Sequence, residues 1–116
     1  MVERLTRGGI YLARLDPAKG AEIGKLRPVA VLSAEEILKA EPPLVFVCPL
    51  SSRSDPGFAS LHLPLPARDA LKVPSFALVE HCRAVSSRRL KPCRIAQLTA
   101  EELDAILNRL QRLVGR

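Results

Sequence analysis

Aromatic residues are rare in this chain of 116 residues, which contains no Trp, one Tyr and three Phe. Proteins that read single-stranded nucleic acids by stacking present several aromatic side chains on one platform. The scarcity of aromatics therefore argues against a recognition surface that is built from stacked bases.

Cysteine and histidine are also few and widely spaced. The three cysteines, Cys48, Cys82 and Cys93, are odd in number, and together with two histidines they show no spacing typical of a zinc site. We therefore expect free thiols, no bound metal and no cofactor.

No apolar run has the length needed to span a bilayer, and the segment from Met1 to Gly9 lacks the apolar stretch of a signal peptide. The sequence thus predicts a soluble, cytoplasmic protein. Its length leaves room for a single domain over residues 1–116.

What the chain has in excess is positive charge: 18 Lys and Arg against 12 Asp and Glu give a formal net charge of +6. Such an excess on a small domain suggests an anionic partner, with nucleic acid as the first candidate and an acidic protein as the second.

Hydrophobic patterns predict several short strands and two helices. Capping boxes that begin at Ser33 and at Thr99 predict a short inserted helix and a C-terminal amphipathic helix. The predicted strands cover residues 10–15, 29–32, 44–48, 59–65, 75–85 and 94–98. The fold class is therefore mainly β with helices: a small, strongly bent antiparallel sheet or barrel with the last helix packed beside it.

The most informative stretch runs from Gly20 to Ser33, where a polar loop leads into a buried strand. Arg27 lies at the junction, and Pro28 disfavours a helical conformation for it. An extended arginine at the start of a core strand can present its planar fork of donors to a phosphate. The alternative from this stretch alone is an ion pair between Arg27 and Glu22.

Charged and hydroxyl groups from other loops suggest the chemistry of a phosphodiester. The sequence has neither the Gly-x-Ser-x-Gly turn of serine hydrolases nor a phosphate-binding glycine loop. In RNA the 2′-hydroxyl can itself be the nucleophile. The protein then needs a base, donors for the phosphorane and a proton for the leaving oxygen.

Several motifs resemble the MazF/PemK family of toxins over nearly the whole chain. These are Arg7-Gly8-Gly9-Ile10-Tyr11, Leu15-Asp16-Pro17, the block from Gly20 to Ser33, Cys48-Pro49-Leu50-Ser51-Ser52 and Glu80-His81-Cys82-Arg83. The resemblance implies an SH3-like barrel and a homodimer. It also implies a metal-independent, sequence-specific endoribonuclease that acts on single-stranded RNA and is neutralised by a cognate antitoxin with an acidic, partly disordered segment.

The resemblance also implies roles for particular residues. Arg27, Ser51 and Glu22 match catalytic positions, although the family usually has threonine where Ser51 stands. Glu22 is a candidate general base, with His81 as the alternative for that role. The RNA-binding candidates are Lys19, Lys25, Ser52, Arg53, His81 and Arg83.

Departures from the family pattern limit what can be transferred. The branch typified by the Kid toxin has an arginine where this chain has Leu78, and the glycine that is common before the last helix is Ala96. His62 falls on the polar face of its predicted strand, so we expect it at the surface.

Two other functions remain open from the sequence. A toxin that resembles CcdB would bind DNA gyrase through its terminal helix and would not use Arg27. A catalytically inactive relative would act only as a partner protein.

Overall fold

The computed structural model describes residues 4–17, 19–22 and 24–116; Ala18 and Ile23, in the polar loop before Arg27, lie outside them. Over these residues the chain forms seven strands and two α-helices. In chain order these are β1 (Gly9–Arg14), β2 (Leu26–Val31), α1 (Glu35–Leu38), β3 (Leu44–Ser51), β4 (His62–Leu65), β5 (Ser75–Leu78), β6 (Arg83–Ser86), β7 (Leu90–Gln97) and α2 (Ala100–Leu113). None of the helices in this part of the chain has the length and apolar character needed to cross a membrane.

The strands form one antiparallel sheet in the order β4-β5-β3-β2-β1-β7, and β6 also pairs with β3. Strand β3 is the hub, because its first half pairs with β6 and its last residues pair with β5, while β2 lies beside its middle. The sheet bends across this shared strand and stays open. The predicted class, a bent antiparallel sheet with a C-terminal helix, is confirmed.

Alternating side chains of the sheet fill two hydrophobic clusters. On β1, Ile10 belongs to the cluster that Ile106 of α2 completes, and Tyr11 belongs to the cluster on the opposite face. Tyr11 is fully buried, and its hydroxyl accepts a hydrogen bond from the Thr6 amide at 3.0 Å. The bend therefore gives one short sheet two cores.

The predicted capping box of α2 is confirmed. The Thr99 hydroxyl accepts from the Glu102 amide at 3.1 Å, and the Glu102 carboxylate accepts from the Thr99 amide at 2.9 Å. Gly115 follows the helix with φ of +81°, a backbone conformation that glycine adopts without strain.

The capping box expected at Ser33 is wrong. Ala34 occupies the N-cap position of α1 without a side-chain hydrogen bond, and α1 has four residues. The Ser33 hydroxyl instead accepts from the Phe46 amide of β3 at 2.9 Å. The long-range bond to a core strand has displaced the local cap.

Several predicted strand boundaries also differ: β2 begins at Leu26 where residue 29 was predicted, and β7 begins at Leu90 where residue 94 was predicted. Pro49 continues β3, where it lies opposite Val29, because a strand tolerates proline where the ladder needs no donor from it. A 3₁₀ segment over Pro56–Leu61 delays β4 until His62. The strand expected over residues 75–85 breaks into β5 and β6 around a 3₁₀ turn at Val79–His81.

An ion pair fixes the start of α2 to the connection between β4 and β5. The two terminal nitrogens of Arg68 donate to the two carboxylate oxygens of Glu102 at 2.5 and 2.6 Å. The hydrogen bonds from Arg68, and then those from Thr99, hold the pKa of Glu102 below its ordinary value. Glu102 therefore acts both as a capping residue and as the anchor of the helix.

We expect Glu102→Gln to lower the free energy of unfolding at pH 7 by about 1–2 kcal/mol, because it removes a charged, doubly hydrogen-bonded group. Glu101→Gln, an exposed change in the same turn, is the control. A lowered pKa stabilises the fold above the unfolded-state pKa, and that contribution is lost as the pH falls through the folded-state value. Denaturant titrations should therefore show the difference at pH 7 and its disappearance in acid. A difference that is constant with pH would contradict this role.

Candidate active site

The backbone on both sides of Arg27 is held by hydrogen bonds to the end of β1. Lys25 has φ of +67°; its amide donates to Asp16 Oδ1 and its carbonyl accepts from the Leu15 amide, both at 2.8 Å. Arg27 is half-buried, and its Nε donates to the Gly24 carbonyl at 2.9 Å. The loop therefore orients the guanidinium, and its two terminal nitrogens have no hydrogen-bond partner within the described residues.

Arg27 and Ser51 lie on the neighbouring strands β2 and β3, each two residues beyond the part of its strand that pairs with the other. The register sets Val29 opposite Pro49 and Ala30 opposite Cys48. This ladder ends before Arg27 and Ser51, and Ser51 pairs with Phe76 of β5, but the alternation along β2 and β3 assigns Arg27 and Ser51 to the same face of the sheet. The Ser51 hydroxyl accepts from the Arg53 amide at 3.2 Å, which fixes the turn that follows β3.

Glu22 lies in the loop before β2 and is exposed. Its carboxylate accepts from the Lys19 amide at 2.7 Å. Across the described ranges it forms no ion pair with Arg27 or Lys25, so the ion-pair alternative is wrong.

A cleft of about 750 Å³ opens between this loop, the turn after β3 and the turn at Val79–His81. Three of the predicted site residues line it: Glu22, Arg53 and His81. His81 is half-buried, with Nε2 3.9 Å from Glu80 Oε2. The full lining is Ala21, Glu22, Arg53, Ser54, Asp55, Phe58, His62, Leu78, Glu80 and His81.

Arg27, Ser51 and the other RNA-binding candidates lie outside the lining. Lys19, Lys25 and Ser52 are exposed on the segments that carry Glu22 and Ser51. Arg83 is in β6 opposite Val47, and its Nη1 is buried without a partner among the described residues. The 3₁₀ turn at Val79–His81 interrupts the predicted strand between His81 and Arg83.

The sequence analysis did not identify a group of three hydrogen-bonded polar side chains in the cleft wall, with His62 at its centre. His62, expected at the surface, is 4% exposed. Its Nδ1 lies 2.6 Å from the Ser54 hydroxyl, and its Nε2 lies 2.7 Å from Glu80 Oε2. His62 is the first residue of β4, opposite Leu78 at the end of β5, so Glu80 in the following turn can reach it. Only the pairing of these strands brings the three residues together, so the sequence pattern could not reveal their hydrogen bonds.

No group of three or more His, Cys, Asp or Glu side chains in the described ranges is arranged to hold a metal ion.

Comparison with known proteins assigns the fold and the family. Residues 6–114 match the family of PemK-like, MazF-like toxins of type II toxin–antitoxin systems. The structure of MazF from Deinococcus radiodurans is 26% identical, with a TM-score of 0.81 over 100% of this chain and 99% of that one. The chain therefore belongs to the PemK-like, MazF-like toxin family.

Two complexes are similar as well. A MazE–MazF complex from Deinococcus radiodurans matches with 27% identity and a TM-score of 0.73, over 97% of this chain and 96% of that one. An endoribonuclease in complex with its cognate antitoxin from a mycobacterial species is 13% identical, with a TM-score of 0.68 over 97% and 94% of the two chains. At that identity the second likeness concerns the fold alone.

Proposed function

We propose that this protein is a sequence-specific, metal-independent endoribonuclease toxin that cleaves single-stranded RNA in the cytoplasm. The active unit is one domain over residues 1–116. The observation that carries the proposal is the position of Arg27 near the start of β2, directly after the loop that contributes Glu22 to the cleft, with no hydrogen-bond partner for its terminal nitrogens among the described residues.

Each of these groups suits one part of a transesterification. Glu22, as general base, removes the proton from the 2′-hydroxyl, and the 2′-oxygen forms a bond to phosphorus. The guanidinium of Arg27 and the Ser51 hydroxyl donate to the phosphorane, whose charge exceeds that of the diester. The bond to the 5′-oxygen breaks and that oxygen takes a proton from water. The products are a 2′,3′-cyclic phosphate and a 5′-hydroxyl.

Arg27 itself is not the base, because an arginine stays protonated at any working pH. His81 is the second candidate for the base, since it lines the same cleft. Lys19, Lys25, Ser52, Arg53, His81 and Arg83 are proposed to hold the RNA, with the cations contacting phosphates.

We expect purified protein to cut a long single-stranded RNA in the presence of EDTA, because the nucleophile is the substrate's own hydroxyl and Arg27 supplies the positive charge. Primer extension would map the cuts, and end-group analysis should find 2′,3′-cyclic phosphates. Activity that EDTA abolishes and magnesium restores would contradict a metal-independent reaction.

Arg27→Ala should lower the cleavage rate by about 10²–10³, the usual cost of removing a donor to transition-state charge. The affinity for RNA should fall far less, because other cations remain. Arg27→Lys should restore little, since an ammonium cannot reproduce the planar fork. Single-turnover rates and binding isotherms separate the two effects.

Arg14→Ala, an exposed arginine at the end of β1, is the matched control and should cleave at the parental rate. Parental cleavage by Arg27→Ala, or a loss that is entirely a loss of affinity, would make Arg27 a docking residue at most. The CcdB-like binder or the inactive relative would then be the better interpretation.

We also propose a homodimer and a cognate antitoxin as partners. The MazE–MazF complex from Deinococcus radiodurans, at 27% identity, supports the antitoxin. A net charge of +6 suits an acidic, partly disordered antitoxin segment that competes with RNA.

Sedimentation should show a dimer of the toxin alone and a larger complex with the antitoxin. Raising the salt concentration from 50 to 500 mM, by about tenfold, should weaken the antitoxin complex and RNA binding together, because both depend on screened charge. A toxin that remains monomeric, or binding that is indifferent to salt, would contradict the corresponding part of the proposal.

A further inference from the structure

The hydrogen-bonded chain of Ser54, His62 and Glu80, in which His62 is buried and the other two are half-buried, joins three separate segments at the wall of the cleft. Ser54 follows β3, His62 begins β4, and Glu80 lies in the turn after β5. The Ser54 hydroxyl and the Glu80 carboxylate contact opposite nitrogens of the His62 ring, at 2.6 and 2.7 Å. All three residues also line the cleft.

The direction of these hydrogen bonds follows from the chemistry of the groups. An ionised carboxylate only accepts, so Nε2 of His62 carries the proton that Glu80 binds. In the neutral form of His62 the lone pair is then at Nδ1, and the Ser54 hydroxyl donates its only proton there. The Ser54 oxygen can then only accept a hydrogen bond from a ligand.

The surrounding groups indicate which ligand donor this oxygen suits. The carboxylates of Glu22, Asp55 and Glu80 lie in the same lining, whereas Arg53 is its one arginine. A lining rich in acceptors disfavours a phosphate and favours N–H groups. Single-stranded RNA offers donors as the 2′-hydroxyls, which are the same in every nucleotide, and as the N–H groups of the base edges, which alone carry sequence information.

We propose that Ser54 determines a base preference of the enzyme by accepting a hydrogen bond from an N–H group of one nucleobase next to the cleaved bond. His62 and Glu80 are positioning residues that fix the Ser54 hydroxyl as an acceptor. This inference rests on the proposed ribonuclease function and adds to it a residue outside the catalytic set.

The test is a cut-site map on a long RNA of mixed sequence for the parent, Ser54→Ala and Ser60→Ala, an exposed serine control. Ser54→Ala should reduce the base enrichment at one position beside the cut by about 2- to 10-fold, the value of one hydrogen bond. Ser60→Ala should leave the enrichment unchanged. Ser54→Ala keeps the pair of His62 and Glu80, so it should fold.

The positioning role has its own readout. His62→Gln should reproduce the loss of enrichment, and the double variant Ser54→Ala/His62→Gln should lose no more than either change alone, because the two residues act as one unit. Unchanged base frequencies in Ser54→Ala, or an equal loss of rate at every site, would overturn the inference. A parent that cuts no RNA would overturn the proposed function as well.

Discussion

The pairing of strand β3 with three other strands is the constraint on which the rest of the structure depends. Its eight residues lie beside β2, β5 and β6, so the sheet must bend around it and its two faces supply two separate cores. Because β3 ends at Ser51, the same strand that organises the core also delivers a proposed catalytic hydroxyl. A change of register in β3 by one residue would turn Ser51 away from the face of Arg27.

Arg27 illustrates how a short loop can orient a charged group without burying it. Its Nε is bound to the Gly24 carbonyl, and the hydrogen bonds of Lys25 to the end of β1 hold the backbone. Little side-chain entropy remains to be lost when a phosphate binds. This arrangement suits a reaction whose nucleophile belongs to the substrate, since the protein then contributes mainly charge and position.

The cleft combines two different polarities. The lining contains Arg53 and the carboxylates of Glu22, Asp55 and Glu80, whereas Lys19 and Lys25 lie outside it on the loop before β2. In the proposed complex with RNA, cations suit the phosphates, which carry the charge, and carboxylates suit the base edges, which carry the sequence information. In the proposed function, one surface then serves both affinity and selectivity.

The sequence alone determined the class of fold, the helix α2 with its capping box, and the extended Arg27 before Pro28, because these depend on local periodicity, capping and the geometry of proline. It failed where long-range contacts outweigh local ones. The Ser33 hydroxyl accepts from the Phe46 amide instead of capping α1. The strand predicted over residues 75–85 breaks at His81 because the chain turns there. Only the tertiary structure decided that His62 is buried between Ser54 and Glu80, since residues 8 and 18 positions away in the chain become its neighbours through strand pairing.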